Sequence, residues 1–244
     1  MGLMSTARPV VRYVWEHPSN RGARVRAMGR AVYGNPPDWA EMLTWKRLIR
    51  PGDLFVDVGA NVGAYSVYLA ELGATVEAIE PHPDAVARLR ENVELNGAEV
   101  RGHEAVAAPQ AGTAFITADR DDMNHVVPAG GLEVPALTLD DLLDGRHARG
   151  VKIDDEGFER EVLVGAVESR RTHRIDALQL EWNSGSLAVL GEDRGPVADL
   201  LRSRGYRLVR PDATGALQVV TDLRFTNDDL FAFAPDVCIP SGPL

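Results

Sequence analysis

Cysteine is almost absent from this chain, since its 244 residues include only Cys238. One cysteine excludes an intrachain disulfide and a zinc site built from several cysteines. Long apolar runs are missing as well: none reaches the length that crosses a bilayer, and the first residues lack the apolar core of a signal peptide. We therefore expect a cytoplasmic protein that does not associate with membranes.

The chain also lacks an excess of positive charge. Its formal net charge is -10 and its pI is about 5.1, whereas a surface that binds nucleic acid or anionic lipid needs clustered lysine and arginine. We expect neither partner. The remaining composition, 45% hydrophobic and 25% charged, is typical of a folded globular protein.

The length suits one α/β domain preceded by a short extension. Residues 1–50 predict an N-terminal helical extension or cap, in which "DWAEMLTWKRLIRPG" has helical spacing and places Trp39 and Trp45 against the main domain. Residues 51–244 predict that main domain, where strands are separated by helices. Such alternation is typical of a largely parallel sheet with helices on both faces.

Four later segments predict further elements. "TAFITAD" predicts a strand, and Thr138 in "LTLDDLLD" predicts the cap of a short helix. "FEREVLVGAVES" predicts one continuous helix with an apolar inward face. "IDALQLEW" predicts another strand, which should end near Glu181.

The stretch "DLFVDVGANVGAYSVYLAELGATVEAIE" predicts a strand, a glycine-rich turn, a helix and a second strand. Gly59 and Gly63 let the backbone approach a ligand at the carboxyl end of the first strand, where the next helix directs its N-terminus. Open α/β sheets bind cofactors at this edge. Glu80 ends the second strand about 20 residues after the turn, a spacing suited to hydrogen bonds with two ribose hydroxyls.

Two classes of cofactor share this geometry. A dinucleotide turn needs G-x-G-x-x-G, whereas this turn has Asn61 in place of the central glycine. Asp57, two residues before Gly59, would repel a pyrophosphate but suits the cationic amino-acid part of S-adenosylmethionine. The turn therefore favours S-adenosylmethionine, and a nicotinamide-dependent oxidoreductase is the alternative.

The stretch "VKIDDEGFERE" places acids directly after a strand. Asp154 and Glu156 follow that strand on the cofactor side of the sheet, and Glu181 should end the neighbouring strand. Together they could orient an acceptor hydroxyl, share the role of a base or bind a divalent ion. Alternatively, the acids only favour the start of the next helix. His125, in the polar loop of residues 119–131, is a candidate general base if that loop closes over the site.

Four stretches together resemble the FkbM-type methyltransferases, a branch of the S-adenosylmethionine-dependent class I fold. They are "GDLFVDVGANVGAYSVYLA", "AIEPHPDAVARLRENVELNG", "VPALTLDDLL" and "VKIDDEGFEREVLVGA". The resemblance covers roughly residues 50–185, and the block "KID-x-EG-x-E" after "DVGANVG" is its specific part. It implies a Rossmann-like α/β fold with a mostly parallel seven-stranded sheet, helices on both faces and an N-terminal helical extension.

The resemblance also implies which residues bind the donor. Its amino-acid end would be held by Asp57, Gly59, Asn61 and Gly63, its ribose by Glu80 next to Pro81, and its adenine by Glu104 and Ala105. The family more often has Asn-Ala where this chain has Glu-Ala. Asp155 is a second departure, because the family usually has an apolar residue there.

Members of the family methylate hydroxyls of sugars, polyketides and other natural products. The resemblance therefore implies an enzyme that takes S-adenosylmethionine as cofactor and a small-molecule acceptor, with Asp154 and Glu156 in the reaction. A divalent metal is not expected, and if one binds, Asp154 and Glu181 are its predicted ligands. A homodimer is compatible with this interpretation. A non-catalytic protein that binds S-adenosylmethionine and serves a partner is the alternative outside the enzymes.

Overall fold

The computed structural model describes residues 39–117, 126–155, 157–182, 194–212, 216–223 and 229–240. Two predicted site residues, His125 and Glu156, lie outside these ranges, as does most of the predicted N-terminal extension. None of the helices within the ranges combines the length and the hydropathy that a bilayer crossing requires.

The described ranges contain strands and helices in alternation. The strands are β1 (Leu54–Val58), β2 (Thr75–Ile79), β3 (Val100–His103), β4 (Val106–Ala107), β5 (Gly112–Ile116), β6 (Val126–Val127), β7 (Leu132–Leu137), β8 (Ala148–Ile153), β9 (Ile175–Leu180), β10 (Arg207–Pro211), β11 (Leu217–Val219) and β12 (Leu230–Phe233). The helices are α1 (Trp39–Leu48), α2 (Ala64–Glu71), α3 (Pro83–Asn96), α4 (Leu139–Leu143), α5 (Glu159–Val164), α6 (Val167–Arg171) and α7 (Gly195–Arg202).

The main sheet has the strand order β11-β10-β12-β9-β8-β1-β2-β3. Its strands from β9 to β3 are parallel, whereas β12, β10 and β11 join as antiparallel strands. The predicted Rossmann-like α/β fold is confirmed. The strand number differs from the expected seven, because the described part of this sheet has eight: β11 pairs antiparallel with β10 at the edge.

Two hydrophobic cores cover opposite faces of the main sheet. Val151 and Ile153 belong to one core, which also includes residues of α5 and α7. Phe55 belongs to the other, together with residues of α1 and α2. Because successive side chains of a strand point to opposite faces, neighbouring positions serve different cores. Asp57 and Lys152 therefore point to the face that α1 and α2 cover.

Helix α1 is joined to the main sheet through Trp45. Its indole ring is fully buried, 4.7 Å from the ring of Phe55 and 5.4 Å from that of Phe231 between centroids. Gly150 of β8 leaves room for the ring, since a Cβ there would lie 2.4 Å from it. The predicted packing of Trp45 against the main domain is confirmed. A cap formed by the earlier residues stays a prediction.

A second, smaller sheet lies between β3 and α4 in the chain, with the strand order β4-β7-β5-β6. The strand predicted from "TAFITAD" is β5 of this sheet. Helix α4 follows β7, and its predicted cap is confirmed: the Thr138 hydroxyl accepts a hydrogen bond from the amide of Asp141 at 3.0 Å.

The helix predicted from "FEREVLVGAVES" is wrong as a single element. Helix α5 ends at Val164 and α6 begins at Val167. The break lies at Gly165, where a Cβ would be 2.2 Å from the carbonyl oxygen of Ala108. Ala108, just after β4, comes so close to position 165 that only glycine fits there, and the helix is interrupted at the same point. Helical periodicity alone does not reveal this contact.

Candidate active site

Three parallel strands end together at one edge of the main sheet. Val58 of β1 pairs with Ile153 of β8, which in turn pairs with Leu180 of β9. Beyond these pairs, the amide of Asp154 donates to Val58 at 3.2 Å and the amide of Glu181 donates to Ile153 at 3.0 Å. Asp154 and Glu181 therefore leave adjacent strands side by side, next to the glycine-rich turn, as the strand order predicts.

The turn after β1 adopts a backbone that favours glycine. Gly59, Asn61 and Gly63 have φ angles of 71°, 51° and 84°, which lie in the left-handed region. Gly59 is the most constrained, because a Cβ would lie 1.9 Å from the carbonyl oxygen of Asp154. The glycine-rich turn therefore packs against the main chain at Asp154, backbone against backbone.

Glu80 follows β2 and closes the turn from the other side. Its carboxylate accepts hydrogen bonds from the amides of Asn61 and His82, both at 2.9 Å. Burial raises the pKa of Glu80, and the two backbone hydrogen bonds oppose that rise. Each carboxylate oxygen has a second lone pair, so Glu80 can still accept bonds from hydroxyls. The arrangement fits the predicted ribose-binding acid.

Asn92 is a support of this turn that the sequence analysis missed. It lies on α3 with its side chain fully buried, and Nδ2 donates to the carbonyl oxygen of Val62 at 2.7 Å. The bond connects α3 to the turn between Asn61 and Gly63. Periodicity cannot find such a residue, because the two partners are 30 positions apart.

The carboxylate of Asp57 accepts a hydrogen bond at one oxygen and has a more distant cation at the other. Its side chain is 0% exposed, Oδ2 accepts from the Ser66 hydroxyl at 2.6 Å, and Oδ1 lies 3.9 Å from the ammonium of Lys152. Burial raises the pKa of Asp57, whereas Lys152 and Ser66 act to lower it. A direct contact of Asp57 with the donor stays a prediction. The observed contacts show that the carboxylate joins the end of β1 to β8 and α2.

Lys152 is the second residue that the sequence analysis missed. Its Nζ lies 2.8 Å from Oδ2 of Asp154 and 4.9 Å from the ring centroid of Tyr65. Burial alone would lower the pKa of this ammonium, but the carboxylates of Asp154 and Asp57 raise the pKa of Lys152 above its ordinary value. The side chain is therefore a buried cation between two acids.

The same buried face continues to β9 through Gln179. In register, Asp57 pairs with Lys152 and Lys152 pairs with Gln179. The Gln179 amide accepts a hydrogen bond from the indole of Trp45 and donates one to Asp229. These bonds satisfy groups that would be costly to bury alone. A polar row thus crosses the sheet one residue before the strands end.

Glu104 and Ala105 follow β3 at the same edge. The amide of Glu80 donates to the carbonyl of His103 at 3.0 Å, so the ends of β2 and β3 are adjacent. The exposed Glu104 side chain forms an ion pair with Arg90 at 3.3 Å, and Ala105 is buried. Pro81 is half-buried next to Glu80. Their contacts with adenine and ribose stay predictions.

Glu159 stabilises the segment that follows Asp154. Its carboxylate is fully buried and accepts from the amide of Gly157 at 3.0 Å and from Arg194 at 2.6 Å. The Arg194 guanidinium also lies over the ring of Trp182, 5.3 Å from its centroid. The last acid of the "KID-x-EG-x-E" block therefore has a structural partner, which was not predicted.

The described residues contain no group of three or more histidine, cysteine, aspartate or glutamate side chains that could hold a metal ion. At Asp154, the cation in contact with the carboxylate is the ammonium of Lys152. The roles predicted for Glu156 and His125 stay predictions, because both residues lie outside the described ranges.

The strand order defines a Rossmann-like α/β fold, and the family model that matches residues 57–208 defines the class: the protein is an S-adenosylmethionine-dependent methyltransferase. A solved structure with this fold is the TehB-like SAM-dependent methyltransferase from Corynebacterium glutamicum, with a TM-score of 0.51 and 14% identity over 88% of this chain and 97% of that one. Within the class, the chain belongs to the Methyltransferase FkbM domain family, whose model matches residues 57–208. The predicted family is confirmed.

Two curated relatives are similar in sequence. The 31-O-demethyl-FK506 methyltransferase FkbM of Streptomyces tacrolimicus is 28% identical over 201 residues, 66% of this chain and 75% of that protein. A protein-L-isoaspartate O-methyltransferase of Salinibacter ruber is 30% identical over 127 residues, 52% of this chain and 51% of that protein. Nothing in these findings supports a nicotinamide-dependent oxidoreductase.

Proposed function

We propose that this methyltransferase acts on a hydroxyl oxygen of a small natural product, such as a sugar, nucleoside or polyketide, in secondary metabolism. The observation that carries the proposal is the position of Asp154. Its side chain is 23% exposed at the strand edge beside the donor turn, and Lys152 holds it from the buried side. An alcohol must lose its proton during methyl transfer, and a carboxylate in this position supplies the base.

The names of the relatives support oxygen as the methylated atom. One is named as the methyltransferase of 31-O-demethyl-FK506, and the other as an O-methyltransferase of protein L-isoaspartate, so only the first supports a small-molecule acceptor. The sequence similarity to that protein spans three quarters of its length. An oxygen acceptor also agrees with the acids Asp154 and Glu181 at the strand ends of the main sheet, since a carboxylate both orients a hydroxyl and accepts its proton.

The donor would be held by the turn and by the acid that closes it. Glu80 offers acceptors for two ribose hydroxyls, and the main-chain groups of the turn around Asn61 and Gly63 face the donor's amino-acid end. When bound, S-adenosylmethionine supplies an electrophilic methyl group on a positively charged sulfur. The protein's part is to hold the two reactants in line, which can lower the barrier by roughly 7 kcal/mol or more.

The acceptor hydroxyl would lie between this methyl group and Asp154. Formation of the oxygen–carbon bond would be matched by loss of the carbon–sulfur bond, with its electron pair left on sulfur and S-adenosylhomocysteine as the second product. The hydroxyl proton passes to the carboxylate of Asp154 and from there to water. Glu181, on the adjacent strand end, would orient the acceptor or share the proton.

The test is methyl transfer from isotopically labelled S-adenosylmethionine to a panel of acceptors that contain sugars, nucleosides and polyketides. We expect label in at least one product, located by NMR in a methoxy group. Reactions without acceptor are the control for spontaneous breakdown of the donor. Label in an N-methyl or C-methyl group would contradict the proposed oxygen acceptor, and a panel without any labelled product would count against the acceptor class.

A further inference from the structure

Lysine is rare in this chain: only two of its 26 lysine and arginine residues are lysines, Lys46 and Lys152. Lys46 is exposed on α1. Lys152 is 5% exposed and lies in the middle of the main sheet, where charged side chains are uncommon. The two lysines thus lie in opposite environments, and only one can contact the site.

The ammonium of Lys152 contacts two acids that belong to different parts of the site. It is 2.8 Å from Asp154, at the edge proposed to face the acceptor, and 3.9 Å from Asp57, on the strand that leads into the donor turn. An ammonium is a compact charge with three donors. It can therefore bind two carboxylates at once in a space where a planar guanidinium would require more room.

The distances argue against a role confined to neutralising Asp57. Asp57 is fully buried, and within the described chain no hydrogen-bond donor reaches its Oδ1. A cation present only to compensate that charge would be expected to approach Oδ1 most closely, because Coulomb attraction grows as the separation falls. The short contact is instead made with Asp154, the more exposed acid.

We propose that Lys152 is a positioning residue that couples the donor strand to the acceptor edge: Asp57 holds its ammonium, and the ammonium holds the Asp154 carboxylate beside the glycine-rich turn. This inference rests on the proposed function. A shift of the turn when the donor binds would move Asp57, then Lys152, and so adjust Asp154. In this scheme Lys152 acts through Asp154 and does not itself contact a reactant.

The scarcity of lysine makes the test direct. The full chain is produced with lysine labelled with 15N at Nζ, which gives two ammonium signals in an NMR spectrum, and Lys46→Arg identifies the signal of Lys152. We expect proton exchange at Lys152 to be slower than at Lys46 by about tenfold or more, because burial protects it. Asp154→Asn should shift the Lys152 signal and speed its exchange, with Asp154→Ser as a second variant in case the first does not fold.

The donor arm uses S-adenosylhomocysteine as the probe. Its addition should shift the signal of Lys152 and leave that of Lys46 in place. If the ion pair of Lys152 were purely structural, the probe would leave both signals in place. If the Lys152 signal does not shift in the Asp154 variants, or does not shift when the probe is added, the proposed coupling is wrong. Calorimetry separates the two proposals: no heat with S-adenosylhomocysteine would overturn the donor site itself, whereas heat without a response of Lys152 would overturn only the coupling.

Discussion

Gly59 packs against the main chain of Asp154 so closely that a Cβ at position 59 would lie 1.9 Å from the Asp154 carbonyl oxygen. Gly59, the first residue of the glycine-rich turn, is therefore in direct main-chain contact with Asp154, the proposed base. Their relative position depends on a missing side chain, and not on a bond between side chains. Any residue larger than glycine must push the two strand ends apart.

Gly59→Ala is expected to abolish binding of S-adenosylhomocysteine and to lower the free energy of unfolding by several kcal/mol, on the order of 3, because overpacking adds to the cost of a positive φ. Gly97→Ala is the matched control. Gly97 also has a positive φ, 58°, but nothing lies within 4 Å of its Cβ position, so only about 1 kcal/mol should be lost. Calorimetry and denaturant unfolding measure both effects. Equal losses in the two variants would contradict the close contact.

Glu80→Gln is expected to weaken S-adenosylhomocysteine binding by about 10- to 100-fold, because hydrogen bonds to a charged group contribute roughly 1.5–3 kcal/mol. The new amide also places a donor where the carboxylate accepts from the amides of Asn61 and His82. Isothermal titration calorimetry gives the affinity.

Glu99→Gln is the control for that measurement, since the exposed Glu99 accepts a hydrogen bond from Thr75 away from the turn. Its affinity should match that of the wild type. If Glu80→Gln binds as tightly as the control, Glu80 does not contact the ribose.

The contacts of Glu77 predict that part of the free energy of unfolding depends on pH. Burial would raise the pKa of Glu77, but hydrogen bonds from His103 and Arg146 lower it below the ordinary value of 4.5. A lowered pKa stabilises the fold above the unfolded-state value, and this stabilisation is lost as the pH falls through the folded-state value. Relative to Glu77→Gln, the wild type should be more stable by about 1–3 kcal/mol at pH 7.

That advantage should shrink once the pH falls below 4.5, and urea unfolding at several pH values measures it. Glu168→Gln is the control, because Glu168 pairs with Arg171 at the exposed surface, and exposed pairs contribute little. A constant difference between wild type and Glu77→Gln across the pH range would show that Glu77 is not the source.

Chelation of divalent metal is expected to leave turnover unchanged. The ammonium of Lys152 lies 2.8 Å from one oxygen of Asp154, and its positive charge would repel a divalent ion at the same carboxylate. Methyl transfer is measured with EDTA and with added magnesium, using an acceptor found in the panel. A loss of rate with EDTA that magnesium restores would move Asp154 and Glu181 into the role of metal ligands.

Local pattern was sufficient for the parts of the fold that are continuous in sequence. The strand, turn, helix and strand from Leu54 to Ile79 follow from alternation and from the glycines. The Thr138 cap likewise depends on residues within one turn. The glycine-rich turn could therefore be located from the sequence, because it is local, whereas the contacts of its residues with the donor stay predictions.

Contacts between distant segments could not be predicted. Lys152 is one of two charged residues in β8, and only the register of β1 with β8 brings it to Asp57. Asn92 requires the packing of α3 on the turn. The break at Gly165 requires the approach of Ala108. Each depends on two segments meeting in three dimensions, which periodicity along one segment does not encode.

The central claim is that the Asp154 carboxylate takes the proton of an acceptor hydroxyl during methyl transfer, and a single comparison tests it most directly. The rate of methoxy formation is measured for wild type and Asp154→Asn at saturating S-adenosylmethionine and acceptor, with the affinity for S-adenosylhomocysteine measured in parallel. We expect the variant to lose about 100-fold or more of the rate and to retain its affinity. Full activity in Asp154→Asn would contradict the account.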